Sequence, residues 1–192
     1  YLSPVILEEA PLIEIPILRE TSDYLIINKP KWVLSHPNSI WDVWEPSVVG
    51  FLYHHYKQLP SIGSFIRAGL LHRLDKDTDG LMIIAKTERW LQHFKTLFKE
   101  KSESETLEQK DQVPLKKWYR ATCEISEGGH EFLKQIEGKL PFIISEEVKA
   151  KVPNTIPKLG ITQIEKIEKK PDGKLQIFLQ IFTGRTHQIR YH

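Results

Sequence analysis

The sequence predicts an α+β fold in which helices and loops flank a mixed, largely antiparallel central sheet. Two observations support this prediction: short apolar runs alternate with the two-residue period of a half-buried strand, and turn-forming residues separate them. Only a few stretches show the three- to four-residue period of a helix. The chain has 192 residues, 40% hydrophobic and 27% charged, which is typical of a globular protein with one substantial domain or two close subdomains.

The first half of the chain is predicted to contain a lead-in segment, two strands and one helix. Residues 1–20 carry three prolines, which favour an irregular segment or an edge strand over a helix. Tyr24–Asn28 is an apolar run that ends at the Lys29–Pro30 turn, as expected of a strand. The other predicted elements are a loop at 31–46 with Trp32, Trp41 and Trp44 as aromatic anchors, a helix at 47–58, a loop at 59–69 and a strand at 81–85.

The second half is predicted to contain a helix, a long polar loop and two clear strands. Residues 101–113 are charged and lack periodicity, which favours a solvated, mobile loop. Trp118–Ile125 and Leu175–Phe182 alternate as strands do, and Pro171–Lys174 forms the turn before the second of them. Thr87 is placed to cap a helix whose apolar residues recur every three or four positions: Trp90, Leu91, Phe94, Leu97 and Phe98.

Composition and charge exclude several classes of protein. The longest apolar runs, such as Leu81–Ala85, are too short to cross a membrane. Cys123 is the sole cysteine, so a disulfide framework is excluded and an intracellular, cytoplasmic location is expected. The eight histidines lack metal-ligand spacing, so no metal site is predicted. The net charge of +2 is too small to indicate nucleic-acid binding by itself, and no protein partner is evident, so we expect a monomer.

Three polar clusters at the edges of predicted strands are candidates for chemistry. His72–Gly80 holds three carboxylates, two cations and a histidine just before a strand, although a solvated turn with capping aspartates explains it when it is taken alone. Thr183–Arg190 follows the last strand and fits either a basic turn that contacts phosphate or an ordinary strand–helix corner. Lys116–Ala121 places Tyr119 on the inward face of its strand, where a core tyrosine is an equally good interpretation.

These segments resemble the motifs of the RluA-type RNA pseudouridine synthases. The family's hallmark segment is similar to HRLDKDTDGLMIIAKT (72–87), and its later motif is similar to TGRTHQIRYH (183–192). Its K-x-Y-x-A motif is similar to KKWYRA (116–121), and its opening strand and turn to YLIINKPKWVLSHP (24–37). All four segments occur in the family's order, and the resemblance covers roughly residues 17–192.

The resemblance implies an isomerase that converts uridine to pseudouridine in structured tRNA or rRNA without a cofactor. It assigns the catalytic carboxylate to Asp75 and the cation that holds it ionised to Arg185, as a buried charge-assisted pair. Tyr119 matches the active-site tyrosine that stacks on the base, and Ile189 matches an apolar position on the other side of the base. Arg73 matches a residue that, in some members, fills the space left by the flipped nucleotide.

Further cations in or beside the motifs are expected to follow the phosphates of the RNA. Lys117 and Arg190 are assigned to substrate binding in this way. The other members of the set are Lys29, Lys31, Arg73, Lys76, Lys86, Arg89, Lys116, Arg120 and Arg185.

The chain also departs from the family pattern. Asp79 stands where the family usually has serine, and residues 100–116 are longer than the usual connection. Because the chain begins at Tyr1 and ends inside the last motif, we expect residues 1–20 to be a lead-in and residues 21–192 to be a catalytic domain without its C-terminal end. One alternative is a catalytically silent RNA-binding protein on the same scaffold. A more remote one is a sugar hydrolase that uses two nearby carboxylates, Asp75 and Asp77.

Overall fold

The computed structural model describes residues 7–37, 39–56, 59, 68–104, 106–149 and 156–192. The chain divides into two compact units, Tyr1–Thr96 and Leu97–His192, each with its own antiparallel sheet. The α+β class and the antiparallel pairing are therefore confirmed, with the strands shared between two sheets. No helix in the described part of the chain is long and apolar enough to cross a membrane.

The first unit is built on a three-stranded sheet in the order β1-β2-β3. The pairing of β2 with β3 runs from Tyr24 opposite Ala85 to Lys29 opposite Gly80. The loop that precedes β3 therefore lies beside the turn that follows β2. The elements of this unit are β1 (Ile17–Glu20), β2 (Tyr24–Lys29), a 3-10 helix (Ile40–Trp44), α1 (Val48–His55) and β3 (Gly80–Ala85).

The core of the first unit comes from alternate positions of the two inner strands and from one helix. Alternation along a strand sends every second side chain to the same face of the sheet, which explains why these residues are buried together. The fully buried ones include Leu25 and Ile27 of β2, Met82 and Ile84 of β3, and Val48, Val49 and Leu52 of α1.

The second unit is built on a four-stranded sheet in the order β4-β7-β6-β5. Tyr119 of β4 pairs with Leu179 of β7, and Leu179 pairs with Ile164 of β6, so these three side chains share one face. The elements, in chain order, are α2 (Glu88–Glu103), which begins in the first unit, α3 (Leu107–Gln112), β4 (Trp118–Cys123), α4 (Glu127–Ile136), β5 (Phe142–Val148), β6 (Lys158–Lys169), β7 (Leu175–Ile181) and α5 (Gln188–Tyr191).

Several predicted elements are confirmed with small changes at their ends. The helix predicted at 47–58 spans Val48–His55, and the Ser47 hydroxyl caps it by accepting from the Gly50 N–H at 3.0 Å. Thr87 caps α2 by accepting from the Trp90 N–H at 3.4 Å. Most of the loop predicted at 59–69, and the last two residues of the predicted helix, lie outside the described residues.

The prediction of a solvated loop at 101–113 is wrong. Helix α2 continues to Glu103, α3 follows at Leu107–Gln112, and Lys101 and Lys110 are almost completely buried. The Lys101 ammonium donates to the Lys110 carbonyl at 2.6 Å, and the Lys110 ammonium donates to the Lys101 carbonyl at 3.2 Å. Each buried cation therefore has backbone oxygen as its partner, and this arrangement exists only once both helices have formed.

The predicted role of the tryptophans in residues 31–46 is also wrong. Trp32, Trp41 and Trp44 do not anchor the segment in the core, because all three side chains are exposed. Val33 and Val43 are buried aliphatic residues of the described part of this segment. The segment is therefore held by its aliphatic residues, and its indole rings face solvent.

Candidate active site

The acidic segment that precedes β3 forms a loop in which the carboxylates differ in exposure. The Thr78 N–H donates to the Asp75 carbonyl at 3.0 Å and closes a turn. Asp75 is half-buried, whereas Asp77 and Asp79 are exposed. The loop is tied to the sheet at its start, because the Ile83 N–H donates to His72 Nε2 at 3.3 Å.

Ser35 holds the backbone of the residue that precedes Asp75. Its hydroxyl accepts from the Leu74 N–H at 2.9 Å and donates to the Leu74 carbonyl at 2.6 Å. Both Ser35 and Leu74 are buried, so water does not compete for these two bonds. Because both the N–H and the carbonyl of Leu74 are held, the direction of the backbone as it enters Asp75 is fixed.

Lys29 supports the same loop from beneath. It is fully buried, and its ammonium donates to the carbonyls of Pro30 at 2.9 Å, Val33 at 2.7 Å and Lys76 at 3.4 Å. Burial lowers the pKa of Lys29, while the carboxylates of the loop oppose that shift, Asp79 most and then Asp75. The prediction that Lys29 follows RNA phosphates is therefore wrong. Its position in the strand already indicated this, since it falls on the buried face of β2 by alternation.

Three further contacts join the loop to the segment that follows β2. The Trp32 N–H donates to the Lys76 carbonyl at 2.7 Å, and the Lys76 ammonium forms an ion pair with Glu45. Lys31 and Asp79 form a wider, exposed ion pair at 4.0 Å. The backbone of the loop is thus fixed on several sides.

In the second unit, Thr183 and Gln188 shape the turn that carries Arg185. The Thr183 hydroxyl accepts from the Ile161 N–H at 2.8 Å and donates to Gln188 Oε1 at 2.8 Å. The Arg185 N–H donates to the same Gln188 oxygen at 3.1 Å. The Gln188 amide nitrogen donates to the Ile161 carbonyl at 3.1 Å and to Thr162 Oγ1 at 2.9 Å. Thr183 and Gln188 are both buried, so the turn rests on a satisfied polar network.

A group of cations surrounds that turn. Burial, followed by the charges of Lys101, Arg185 and Lys110, lowers the pKa of Lys117 to about 8. The Lys117 ammonium lies beside Gly184, since a Cβ built on that glycine would be 3.5 Å from Lys117 Nζ. The Arg185 side chain is oriented by a bond from Nε to the Leu159 carbonyl at 2.8 Å. These crowded cations repel one another, and an anion would stabilise all of them.

Comparison with known proteins shows a family whose model covers both polar turns. Residues 23–192 match the model of the RNA pseudouridylate synthase family. This chain belongs to that family. The RluA-type resemblance of the four motifs is therefore confirmed.

Individual relatives cover almost all of the chain. It is 31% identical over 190 residues to an RNA pseudouridine synthase of Synechocystis sp., covering 94% of this chain and 50% of that protein. It is 32% identical over 183 residues to the ribosomal large subunit pseudouridine synthase D of Borreliella burgdorferi, covering 94% and 51%. The solved structure of human RNA pseudouridylate synthase domain containing 4 matches with a TM-score of 0.56 at 20% identity, covering 92% of this chain and 62% of that one, which shows a common fold. The chain spans about half the length of the curated relatives that it matches.

The predicted site residues of this pseudouridylate synthase family member fall in both units. Tyr119 is half-buried on β4 and Ile189 is half-buried on α5, while Arg190 is exposed. The described second unit brings Lys117 and Arg185 close enough for their charges to interact.

The remaining predicted residues belong to the other unit. Asp75 and the exposed Arg73 lie in the first unit, so the pairing of Asp75 with Arg185 stays a prediction.

Sequence reasoning missed the residues that hold the two turns. Ser35 lies inside the opening motif, and Thr183 and Gln188 lie inside the last one, but none was given a role. Their positions within motifs were the available signal. Their partners were not visible, because Ser35 bonds a residue 39 positions away and Gln188 bonds one 27 positions away.

Proposed function

We propose that this protein isomerises specific uridines to pseudouridine in structured ribosomal or transfer RNA in the cytoplasm, with Asp75 as its catalytic carboxylate. The observation that carries the proposal is the matched hallmark segment, in which Asp75 is half-buried on a loop held by Ser35 and Lys29. The Borreliella relative is named for the large ribosomal subunit, which favours ribosomal RNA as the substrate.

The reaction requires few groups. The bond between N1 of uracil and C1′ of ribose breaks, a bond between C5 and C1′ forms, and the C5 proton is lost while N1 gains one. Atoms and electrons therefore balance within the nucleotide, with no redox step or second substrate. One ionised carboxylate can act at the sugar, either as a nucleophile at C1′ or as a base at the neighbouring carbon.

The second unit supplies groups that suit the base and the phosphates. Tyr119 and Ile189 offer an aromatic ring and an aliphatic side chain for the two faces of uracil, in agreement with their half-buried positions. Lys117, Arg185 and Arg190 offer cations for phosphate, and Arg73 of the first unit would occupy the space of the extruded nucleotide. Burial and, after it, the neighbouring cations lower the pKa of Lys117, and a bound phosphate would oppose both effects.

The test compares Asp75→Asn with Asp77→Asn in the full-length protein. Pseudouridine formation is measured by carbodiimide-dependent primer extension on cellular RNA and by turnover of the mapped substrate. We expect Asp75→Asn to lower the rate by at least about 100-fold, since it removes the reacting carboxylate, and Asp77→Asn to stay within about threefold. Equal losses in both variants would support paired carboxylates instead, and a fully active Asp75→Asn variant would exclude the assigned role.

A second measurement separates the enzyme from the silent RNA-binding alternative. RNA that contains 5-fluorouracil at the target position is expected to form a stable adduct with the unaltered protein and none with Asp75→Asn. If the unaltered protein binds ordinary RNA but yields neither adduct nor pseudouridine, the silent alternative replaces the proposed function.

A further inference from the structure

Three tryptophans of the first unit present their rings to solvent. The exposed fractions are 68% for Trp32, 78% for Trp41 and 60% for Trp44. Tryptophan is highly buried on average in globular proteins, because its large apolar ring is costly to hydrate. Three such rings in one short stretch of chain therefore require an explanation other than packing.

Lys76 connects two of these tryptophans to the catalytic loop. Its carbonyl accepts from the Trp32 N–H at 2.7 Å, and its ammonium pairs with Glu45, the residue that follows Trp44. Lys76 is itself the residue that follows Asp75. Trp32 thus contacts the neighbour of the proposed catalytic carboxylate directly, and Trp44 immediately precedes the residue that pairs with it.

A short parallel bridge brings the two tryptophan segments side by side. Leu34 pairs with Ser47, and the Leu34 N–H donates to the Pro46 carbonyl at 2.9 Å. Trp32 stands two residues before Leu34 and Trp44 two residues before Pro46, so the two segments lie side by side and each provides one contact to Lys76.

The backbone of Trp32 provides an independent observation. Its φ of +67° lies in the left-handed region, which is unfavourable for a large L-residue and natural for glycine. The side chain gains no burial that would offset this strain, since it is largely exposed. Strain that packing does not explain is typical of positions where the side chain contacts a ligand.

We propose that Trp32 and Trp44, with Trp41 beside them, stack on unpaired bases of the RNA next to the target uridine. This inference rests on the proposed function. An enzyme that extrudes a base must hold the unstacked nucleotides around it, and single-stranded bases bind proteins through stacking on exposed aromatic rings. The exposed cations Lys31 and Arg73 flank the loop and are suited to the phosphates between those bases.

The experiment measures the binding of a fluorescein-labelled single-stranded RNA that contains the target uridine, in full-length protein carrying Asp75→Asn to prevent turnover. We expect Trp32→Ala and Trp44→Ala each to raise Kd by roughly 5- to 150-fold, the range for losing one stacked base. Leu18→Ala is the control, since the Leu18 side chain is also exposed, at 59%, but lies on β1, and Kd is expected to be unchanged in this variant. A Kd within about twofold for both Trp32→Ala and Trp44→Ala overturns the proposal.

Two further variants separate stacking from a general apolar contact. Trp44→Phe retains a flat ring and is expected to keep most of the affinity, whereas Trp44→Leu is expected to bind as weakly as Trp44→Ala. Full affinity in Trp44→Leu would indicate an apolar contact that does not require a flat ring and would overturn the stacking proposal. Because stacking releases no counterions, the dependence of log Kd on log salt concentration is expected to be the same in Trp44→Ala as in the parent.

Failure of this inference can be distinguished from failure of the proposed function. If the unaltered protein makes pseudouridine while the tryptophan variants bind RNA normally, only the stacking surface is excluded. If the tryptophan variants lose RNA binding while the unaltered protein makes no pseudouridine, the stacking surface stands and the proposed activity falls.

Discussion

Replacement of Ser35 by alanine tests whether the Ser35 hydroxyl fixes the position of Asp75. The change removes the acceptor of the Leu74 N–H and the donor to the Leu74 carbonyl, at 2.9 and 2.6 Å. Both residues are buried, so the two backbone groups lose partners that water does not replace. Because each unmade buried bond costs about 1–3 kcal/mol, we expect the free energy of unfolding to fall by about 2–4 kcal/mol. Urea unfolding followed by fluorescence measures this loss.

The same variant is expected to lose activity through the rate of the chemical step. A displaced Leu74 shifts Asp75, and a displacement of about 1 Å can cost about 100-fold in rate. We therefore expect kcat for pseudouridine formation to fall by about 10- to 100-fold, with a much smaller change in KM. Conditions well below the unfolding transition ensure that only folded protein is assayed.

Ser22→Ala is the matched control for this prediction. The Ser22 hydroxyl also bonds a neighbour, the Asp23 carboxylate at 3.2 Å, but it is exposed and lies in the same unit. Its loss is expected to change the free energy of unfolding by less than about 0.5 kcal/mol. If Ser35→Ala loses stability as expected but keeps its kcat, Ser35 is structural only. If it is as stable as Ser22→Ala, the two buried bonds contribute nothing and the reasoning is wrong.

Two further predictions concern stability. The folded-state pKa of Lys117 is about 8, below its usual 10.5, so the unfolded chain binds more protons between these values and stability should rise by about 3 kcal/mol from pH 8 to 10.5. Urea unfolding between pH 7 and 10.5 should show this rise, and Lys117→Met should reduce it; an identical pH dependence in the variant contradicts the assignment. Gly69→Ala should destabilise the protein by more than about 2 kcal/mol, because its Cβ would lie 2.1 Å from the Ala85 carbonyl at a φ of +73°. Gly173→Ala, at φ +82° with open space around it, should cost only about 1 kcal/mol, and equal thermal shifts in the two variants would exclude the clash.

The elements that sequence analysis located correctly are those with a regular spacing of apolar residues. The strand predicted at Leu175–Phe182 spans Leu175–Ile181, because apolar residues at every second position indicate a strand without reference to distant residues. The alternation did not predict that Gln180, on the opposite face, is buried too. The prediction for residues 101–113 was wrong for the opposite reason, because burial there depends on contacts between two helices. Lys101 and Lys110 are polar by composition, and only the carbonyl oxygens of the folded helix ends make their burial possible.

The candidate site was also predictable only in part. Asp75 and Arg185 stand in motifs whose residue types match the chemistry, so their candidacy did not depend on coordinates. The roles of Ser35 and Gln188 could be recognised only from the coordinates, because the sequence does not distinguish a buried serine or glutamine from an exposed one. The opposite error was made for the tryptophans. Trp32 and Trp44 are large apolar residues that were expected to anchor their segment, but both are exposed.

The two turns share a mode of support that has a functional consequence. In each unit an uncharged buried side chain bonds the backbone at or beside a proposed site residue: Ser35 holds Leu74 before Asp75, and Gln188 holds the N–H of Arg185. A hydrogen bond to the backbone fixes the position of a charged residue without pairing its charge. An ion pair at the same place would neutralise that charge. Gln188 is neutral, so the position of the Arg185 turn should not depend on pH. The Asp75 loop is also held by the Lys29 ammonium, so its position should stay constant only while Lys29 is protonated. Below the pH at which Lys29 loses its proton, the pH dependence of catalysis should report the ionisation of the reacting groups, and a parallel loss of structure in that range would show that other charges hold the turns.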